Sequence, residues 1–203
     1  MSESSSTHDR ILAAAETVLR RYGVEKTNVV DIAKTLEISH AAIYKHFPSK
    51  KALLDAVAER WLEKVTAPLE AIAKDTKKSP TTRLIAWFEN LRHAKQRKVL
   101  DDPELFRVYH RLAMDAGELA SDHVISLVDQ VATIIAAGIQ KKEFSAKLEP
   151  REAAQACLQS MAPFHHPALL ILSGTPPKEA DARAVMALLL AGLRAGPAAL
   201  PER

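Results

Sequence analysis

Between Arg20 and Lys51, seven basic residues (Arg20, Arg21, Lys26, Lys34, Lys45, Lys50, Lys51) stand against three acidic ones (Glu25, Asp31, Glu37). The whole chain of 203 residues carries 28 Lys and Arg against 25 Asp and Glu, so the net charge of +3 comes entirely from this short segment. A local positive excess of this kind attracts polyanions. Inside it, Ser39, His40, Ala41, Tyr44 and Lys45 follow at close spacing. Hydroxyls, imidazoles and ammonium groups bond phosphate oxygens and base edges, so the chemistry offered is nucleic-acid recognition.

Two short helices must present those side chains. Thr27–Lys51 reads TNVVDIAKTLEISHAAIYKHFPSKK. Helical spacing predicts one helix over about Val29–Leu36, with Thr27 or Asn28 as its cap, and a second over His40–His46, capped by Ser39. A turn at about Glu37–Ser39 separates them. Ile32, Ala33, Leu36, Ile38, Ile43 and Phe47 supply a small core, and Ala33 lets the helices approach closely. Opposite that core, the second helix shows Ser39, His40, Ala41, Ala42, Tyr44 and Lys45, a face narrow enough to enter a DNA major groove. A helix over about Asp9–Tyr22 precedes the pair, with Ile11, Ala14, Ala15, Val18, Leu19 and Tyr22 on one face and Gly23 as its stop. Another begins at Ser49 behind Pro48, buries Leu53, Leu54, Val57 and Trp61, and meets an obstacle at Pro68.

The order ILAAAETVLRRYG, TNVVDIAKTLEIS, AAIYKHFPSKKALLDAV over about Arg10–Trp61 resembles the DNA-binding domain of the tetracycline-repressor (TetR) family. The resemblance implies that Tyr44 and Lys50 hold phosphates, with Thr27 and His46 helping, and that His40 and Ala41 reach base edges. Lys45 falls where the family varies and contacts a base or a phosphate. Each has a plainer alternative: Tyr44 as half-buried packing, and His40 and Lys45 as solvated surface groups. The sequence departs from the family at Glu37, where a turn glycine is usual, and at Val30, where a polar or basic contact is usual. The implied partners are a double-stranded DNA operator, a small hydrophobic effector and a second copy of the chain in a homodimer.

The rest of the chain also reads as helix. Hydrophobic residues make up 47%, only 6 glycines occur, and Ala and Leu dominate. The expectation is an all-α protein of about nine helices: a three-helix domain over residues 1–50, a fourth helix from 49 linking onward, and a larger regulatory and dimerisation domain over 51–203. Lys74–Pro80 is the clearest linker. Later helices are expected over about Thr81–Lys98 (Leu84, Trp87, Phe88 and Leu91 inward), 101–114, 119–142 (Val124, Leu127, Val128, Val131, Ile134 and Ile135 inward), 149–173 and 178–194, with a fraying tail from Ala195. The last is apolar nearly all round (Val185, Met186, Leu188, Leu189, Leu190, Leu193), more than one core needs, which suits either a subunit interface or a helix sandwiched within one subunit.

An effector pocket in the second domain is expected from some of Trp87, Leu91, Phe106, Tyr109, His110, Met114, Met161, Phe164 and His165. Pairs four apart share a helix face, and small-molecule sites are mostly apolar with a few polar anchors. Pro163 and Pro167 weaken the turn beside Phe164 and His165. His165 or His166 serves as an anchor there, or one is a satisfied core group and the other faces solvent. The basic run Arg92–Lys98 reads as a solvated helix end. Lone Cys157, in the apolar stretch Ala153–Met161, reads as an inert buried thiol. His110 and His123 lack metal-ligand spacing, so no metal and no cofactor is expected.

No phosphate-cradling glycine loop, HExxH motif or recognisable nucleophile-base pair supports an enzyme. A helix-turn-helix architectural or adaptor protein without an effector is the alternative to a ligand-released repressor. Ser2–Thr7 is polar, unlike a signal peptide, and the apolar stretch Met161–Leu172 is too short to cross a bilayer. A soluble cytoplasmic protein without a membrane partner is the resulting expectation.

Overall fold

The computed structural model describes residues 6–197, and the ends of the chain, including 198–203 of the tail expected to fray, lie outside them. The described residues form ten helices and no strand. These are α1 (Thr7–Lys26), α2 (Val29–Leu36), α3 (His40–Tyr44), α4 (Lys50–Lys74), α5 (Pro80–Asp101), α6 (Pro103–Asp115), α7 (Glu118–Gln140), α8 (Pro150–His165), α9 (Pro167–Ser173) and α10 (Glu179–Ala195). Ten replace the expected nine because the helix expected over 149–173 is cut in two. His166, the residue before Pro167, is extended (φ −72°, ψ 123°), as the clash with a following proline ring demands. Pro163, which also lacks an N–H, lies within α8. Pro68 likewise sits inside α4, which continues past it to Lys74.

By contacts the chain divides into two compact units. Among the described residues, the first holds 6–63 with 102–120, and the second holds 64–101 with 121–197. In the first, α1 buries Ile11, Leu12, Ala14, Ala15, Val18 and Leu19. Tyr22, expected on that face, is instead exposed, with the Arg21 guanidinium 5.3 Å from its ring centre. It sits at the end of the regular helix, before Gly23 turns the backbone to φ 75°. Trp61 stacks on Tyr109 at 5.0 Å and meets Phe106 edge-on at 6.1 Å.

The second unit is built around Trp87, Phe88, Leu91, Val131, Ile134 and Ile135. α7 is, among the described residues, the one helix long and apolar enough to cross a membrane by length and composition. Its stripe from Leu127 to Ile135 is spent on the core. Val124, expected in that stripe, is exposed near the start of the helix. Cys157 is buried, and burial pushes its thiol up to about 11, which fits an inert group.

After α7 the chain folds back so that the Phe144 ring lies on Gly138. A Cβ at Gly138 would stand 2.1 Å from the ring. Phe144 is itself buried and cannot swing into solvent. Alanine ordinarily favours a helix interior, but here the overlap outweighs the gain. Gly138→Ala is expected to destabilise the fold by about 1–3 kcal/mol, read as a lower midpoint in denaturant unfolding. An unchanged or higher midpoint would show that the ring yields freely.

Candidate functional site

The geometry of α2, α3 and the start of α4 is set by caps. Asn28 ends the extended approach to α2, its Oδ1 accepting from the Asp31 N–H at 2.9 Å. At the other end Glu37 takes the left-handed conformation (φ 55°, ψ 38°). Its N–H donates to Lys34 O at 3.2 Å, and the Ile38 N–H reaches back to Ala33 O at 3.1 Å. That pair of bonds closes α2 with the usual left-handed helix stop. Ser39 then caps α3, its Oγ accepting from the Ala42 N–H at 3.2 Å, and Ser49 caps α4, accepting from the Ala52 N–H at 3.0 Å.

α3 is shorter than expected, ending at Tyr44, with Lys45 as its cap and the His46 N–H bonded to Ile43 O at 2.9 Å. Ile43 and Phe47 are buried with Ile32 and Ala33, and this fixes which way α3 faces. Ser39, His40, Ala41, Tyr44, Lys45 and His46 are all exposed, and Lys50 is half-buried in the first turn of α4. His40 and Tyr44 lie one turn apart with rings edge-on at 6.4 Å. A helix N-terminus beside Lys50 adds outward N–H groups suited to an anion. Val30 is exposed on α2. Thr27 is different. It is only 1% exposed, and its hydroxyl donates to Gly23 O at 2.7 Å. It ties the end of α1 to the start of α2 instead of offering a surface donor.

The residues expected to line an effector pocket fall in both units. Phe106 and Tyr109 are buried in the first unit, where burial and the Glu16 carboxylate push the Tyr109 hydroxyl pKa up. In the same unit His110 is half-buried and Met114 is exposed. In the second unit Trp87, Leu91, Met161, Phe164 and His165 are buried in one core. His165 is held there through Nε2, 3.3 Å from Leu158 O, while His166 is exposed.

The basic run Arg92–Lys98, read as a solvated helix end, is so only in part: His93, Arg97 and Lys98 are exposed, but the other face is not. Arg92 and Lys95 are 6% and 3% exposed, and Gln96 is buried too. The reason is helix phase. Positions 92, 95 and 96 continue the face of Leu84, Phe88 and Leu91. Phase from Phe88 and Leu91 would have revealed it, but a basic composition masked it. Gln96 donates to Phe164 O at 3.0 Å, and Trp87 donates to Gln130 Oε1 at 2.9 Å. Burial holds Lys95 down to about 8, so it stays mostly protonated at neutral pH. Burial, with Lys95 nearby, depresses His123 to about 3 and His165 to about 4. The Thr66 hydroxyl lies 3.0 Å from His123 Nδ1. The second unit therefore keeps positive charge and neutral imidazoles in its interior.

Residues 11–57 match the family profile described as bacterial regulatory proteins, tetR family, and residues 80–186 match the tetracyclin repressor-like C-terminal domain. The HTH-type transcriptional repressor KstR2 of Mycolicibacterium smegmatis is 30% identical over 53% of this chain and 54% of its own. The HTH-type transcriptional regulator UidR of Escherichia coli K12 is 35% identical over 34% of this chain and 38% of its own. The matched stretches thus span about half or less of those relatives. Two solved structures share the fold. A TetR transcription regulator from Haloarcula marismortui has TM-score 0.70 and 18% identity over 92% of this chain and 97% of that one. The transcriptional regulator FadR from Bacillus subtilis, solved in complex with stearoyl-CoA, has TM-score 0.67 and 18% identity over 92% and 99%.

Glu37 occupies a backbone region that costs a side-chain-bearing residue about 1–2 kcal/mol, part of which glycine gives back as unfolded-chain entropy. Glu37→Gly is expected to stabilise the fold by about 0.5–1 kcal/mol, seen as a higher unfolding midpoint. A loss of stability would mean that the Glu37 side chain contributes more than the turn costs.

Proposed function

This chain belongs to the tetR family of bacterial regulatory proteins, and from that premise we propose that it is a sequence-specific transcriptional repressor, released from DNA by a small-molecule effector. The observation that carries the reading is the exposed row His40, Ala41, Tyr44 and Lys45 on a helix fixed from behind by Ile43 and Phe47. In this reading α3 enters the major groove, His40 and Ala41 read base edges, and Tyr44, Lys45, His46 and Lys50 grip phosphates. Ser39 serves by capping α3. Thr27 acts from within, holding α2 in place.

The working form is a homodimer in the cytoplasm, with no catalytic step. Leu188 is 74% exposed on α10, about half a helix turn from buried Met186, and Leu172 is exposed on α9. A second copy would cover these side chains, placing two recognition helices about 34–36 Å apart, one turn of B-DNA. The effector role is supported by FadR, a regulator of the same fold whose structure holds stearoyl-CoA. α4 runs without a break from residues of the first unit into the second, so a ligand held in the second can bias the pose of the first.

Footprinting on DNA flanking its own gene tests the reading. A protected, palindrome-like site is expected, bound by a dimer in sedimentation. Lys50→Ala should weaken binding to specific and random duplexes alike and reduce the salt slope by about one unit. His40→Ala should relax preference at one or two base pairs at a cost of about 1–3 kcal/mol. Equal losses on both duplexes for His40→Ala would remove it as a reader. The absence of any protected site would favour the adaptor alternative.

A further inference from the structure

A cavity of about 300 Å³ lies in the second unit between α5, α8 and α10. That is the lower end of the range that holds small organic ligands. Its walls are apolar: Ile85, Phe88, Met161, Met186 and Leu190. Of the residues expected to line an effector pocket, only Met161 borders it. Three charged residues interrupt those walls, namely Glu89, Arg92 and Arg183. Arg183 is exposed and pairs with Glu179 at 2.5 Å. Glu89, also on α5, is partly exposed.

Arg92 is the unusual member. Its side chain is buried, yet its polar contacts are Gln96 Oε1 at 3.2 Å and His93 Nε2 at 2.8 Å, an amide and an imidazole. No carboxylate among the described residues forms an ion pair with it, and Glu89, on the same wall, does not reach it. A guanidinium removed from water is costly unless an anion or a full set of acceptors meets it. Lys95, buried one turn further along α5, adds positive charge to the same helix face. An arginine fork presents a geometry that a carboxylate fills with two parallel bonds.

We propose that this cavity binds an amphiphilic organic anion, a monocarboxylate whose acid group pairs with Arg92 and whose apolar body lies against Phe88, Met161, Met186 and Leu190. The proposal rests on the effector reading only for its regulatory consequence. Binding itself is a property of the DNA-free protein. It narrows the effector from any hydrophobic molecule to an acidic one.

Calorimetry on the full chain with sodium octanoate, 1-octanol and octylamine tests this, using wild type, Arg92→Met and Ala187→Phe. Arg92→Met keeps an unbranched chain and removes the charge. Ala187 lines the cavity and is exposed, so Ala187→Phe narrows the space without disturbing the core. Octanoate should bind wild type more tightly than octanol, and octylamine should bind least. Arg92→Met should weaken octanoate about tenfold or more and leave octanol nearly unchanged, whereas Ala187→Phe should weaken both. Octanoate that fails to bind, or that binds Arg92→Met as it binds wild type, overturns the proposal. So does octylamine binding as tightly as octanoate in wild type. If Arg92→Met does not fold, Ala187→Phe and the ranking of the three probes decide. A parallel gel shift on DNA flanking the gene separates the two readings. Octanoate that binds through Arg92 without moving the operator equilibrium upholds the site and removes its effector role. Octanoate that releases DNA equally from wild type and Arg92→Met overturns the site and leaves the effector reading standing.

Discussion

Two backbone bonds, from Glu37 and Ile38 back to Lys34 and Ala33, decide what the surface of the first unit can do. They turn the chain at the end of α2 through a single left-handed residue, and α3 starts at His40 behind its Ser39 cap. Ala33 on α2 is small and buried, and Ile43 on α3 is buried as well. With Ile43 pinned inward, helix geometry leaves no freedom for its neighbours. His40, Ala41, Tyr44 and Lys45 must face out. In the proposed role as a DNA-reading row, what counts is position relative to a groove, so the turn rather than the row itself is where precision is spent. The chain accepts a side chain at φ 55° to obtain it.

The second unit answers a different constraint, the cost of polar groups in a low-dielectric core. α5 turns Arg92, Lys95 and Gln96 inward along with Leu84, Phe88 and Leu91. The end of α8 meets that row. Its last carbonyls lack intrahelical donors, Pro167 stops the helix, and Gln96 bonds the Phe164 carbonyl. The partial negative charge of a helix C-terminus also favours nearby cations. Trp87 and Gln130 satisfy one another. His123 and His165 stay neutral because burial, with Lys95 close by, makes a further charge unfavourable. The interior is thus polarised toward binding negative charge without containing a carboxylate partner for Arg92.

Much of this was legible in the residues, because amphipathic period and caps are local. Asn28, Ser39 and Ser49 cap where their types say they should, and the stripes of α4 and α5 bury Leu53, Val57, Trp61, Leu84 and Trp87 as their spacing requires. Where sequence reading went astray, a longer-range or finer effect intervened. Arg92 and Lys95 look like surface residues by type, and only their phase against Phe88 places them inside. Tyr22 and Val124 sit near helix ends, where a stripe loses its neighbours. Thr27 has the chemistry of a phosphate contact but is consumed by the Gly23 carbonyl. The split between α8 and α9 depends on the residue before Pro167, whereas Pro68 and Pro163 are carried inside their helices. Three prolines of one type thus have two outcomes, set by surroundings that the sequence does not display.

α4 ties these two economies together. It gives Leu53, Val57 and Trp61 to the first unit's core and Val65, Leu69 and Ala73 to that of the second. A helix that contributes to two cores can couple them only if each core has a reason to prefer one pose. In the first unit the reason is the fixed α2–α3 geometry, which fits DNA or does not. In the second, on the proposal made above, it is a buried cation whose energy would change when an anion arrived. Releasing DNA a hundredfold requires the ligand to prefer the DNA-incompetent pose by about 2.7 kcal/mol. A charge-assisted bond to a desolvated guanidinium is of that order, about 1.5–3 kcal/mol. Purely apolar contacts would have to differ between poses by roughly 100 Å² of buried surface to match it. If the proposed anion bonded Arg92 in one pose only, that single contact would supply as much coupling as those roughly 100 Å² of apolar surface.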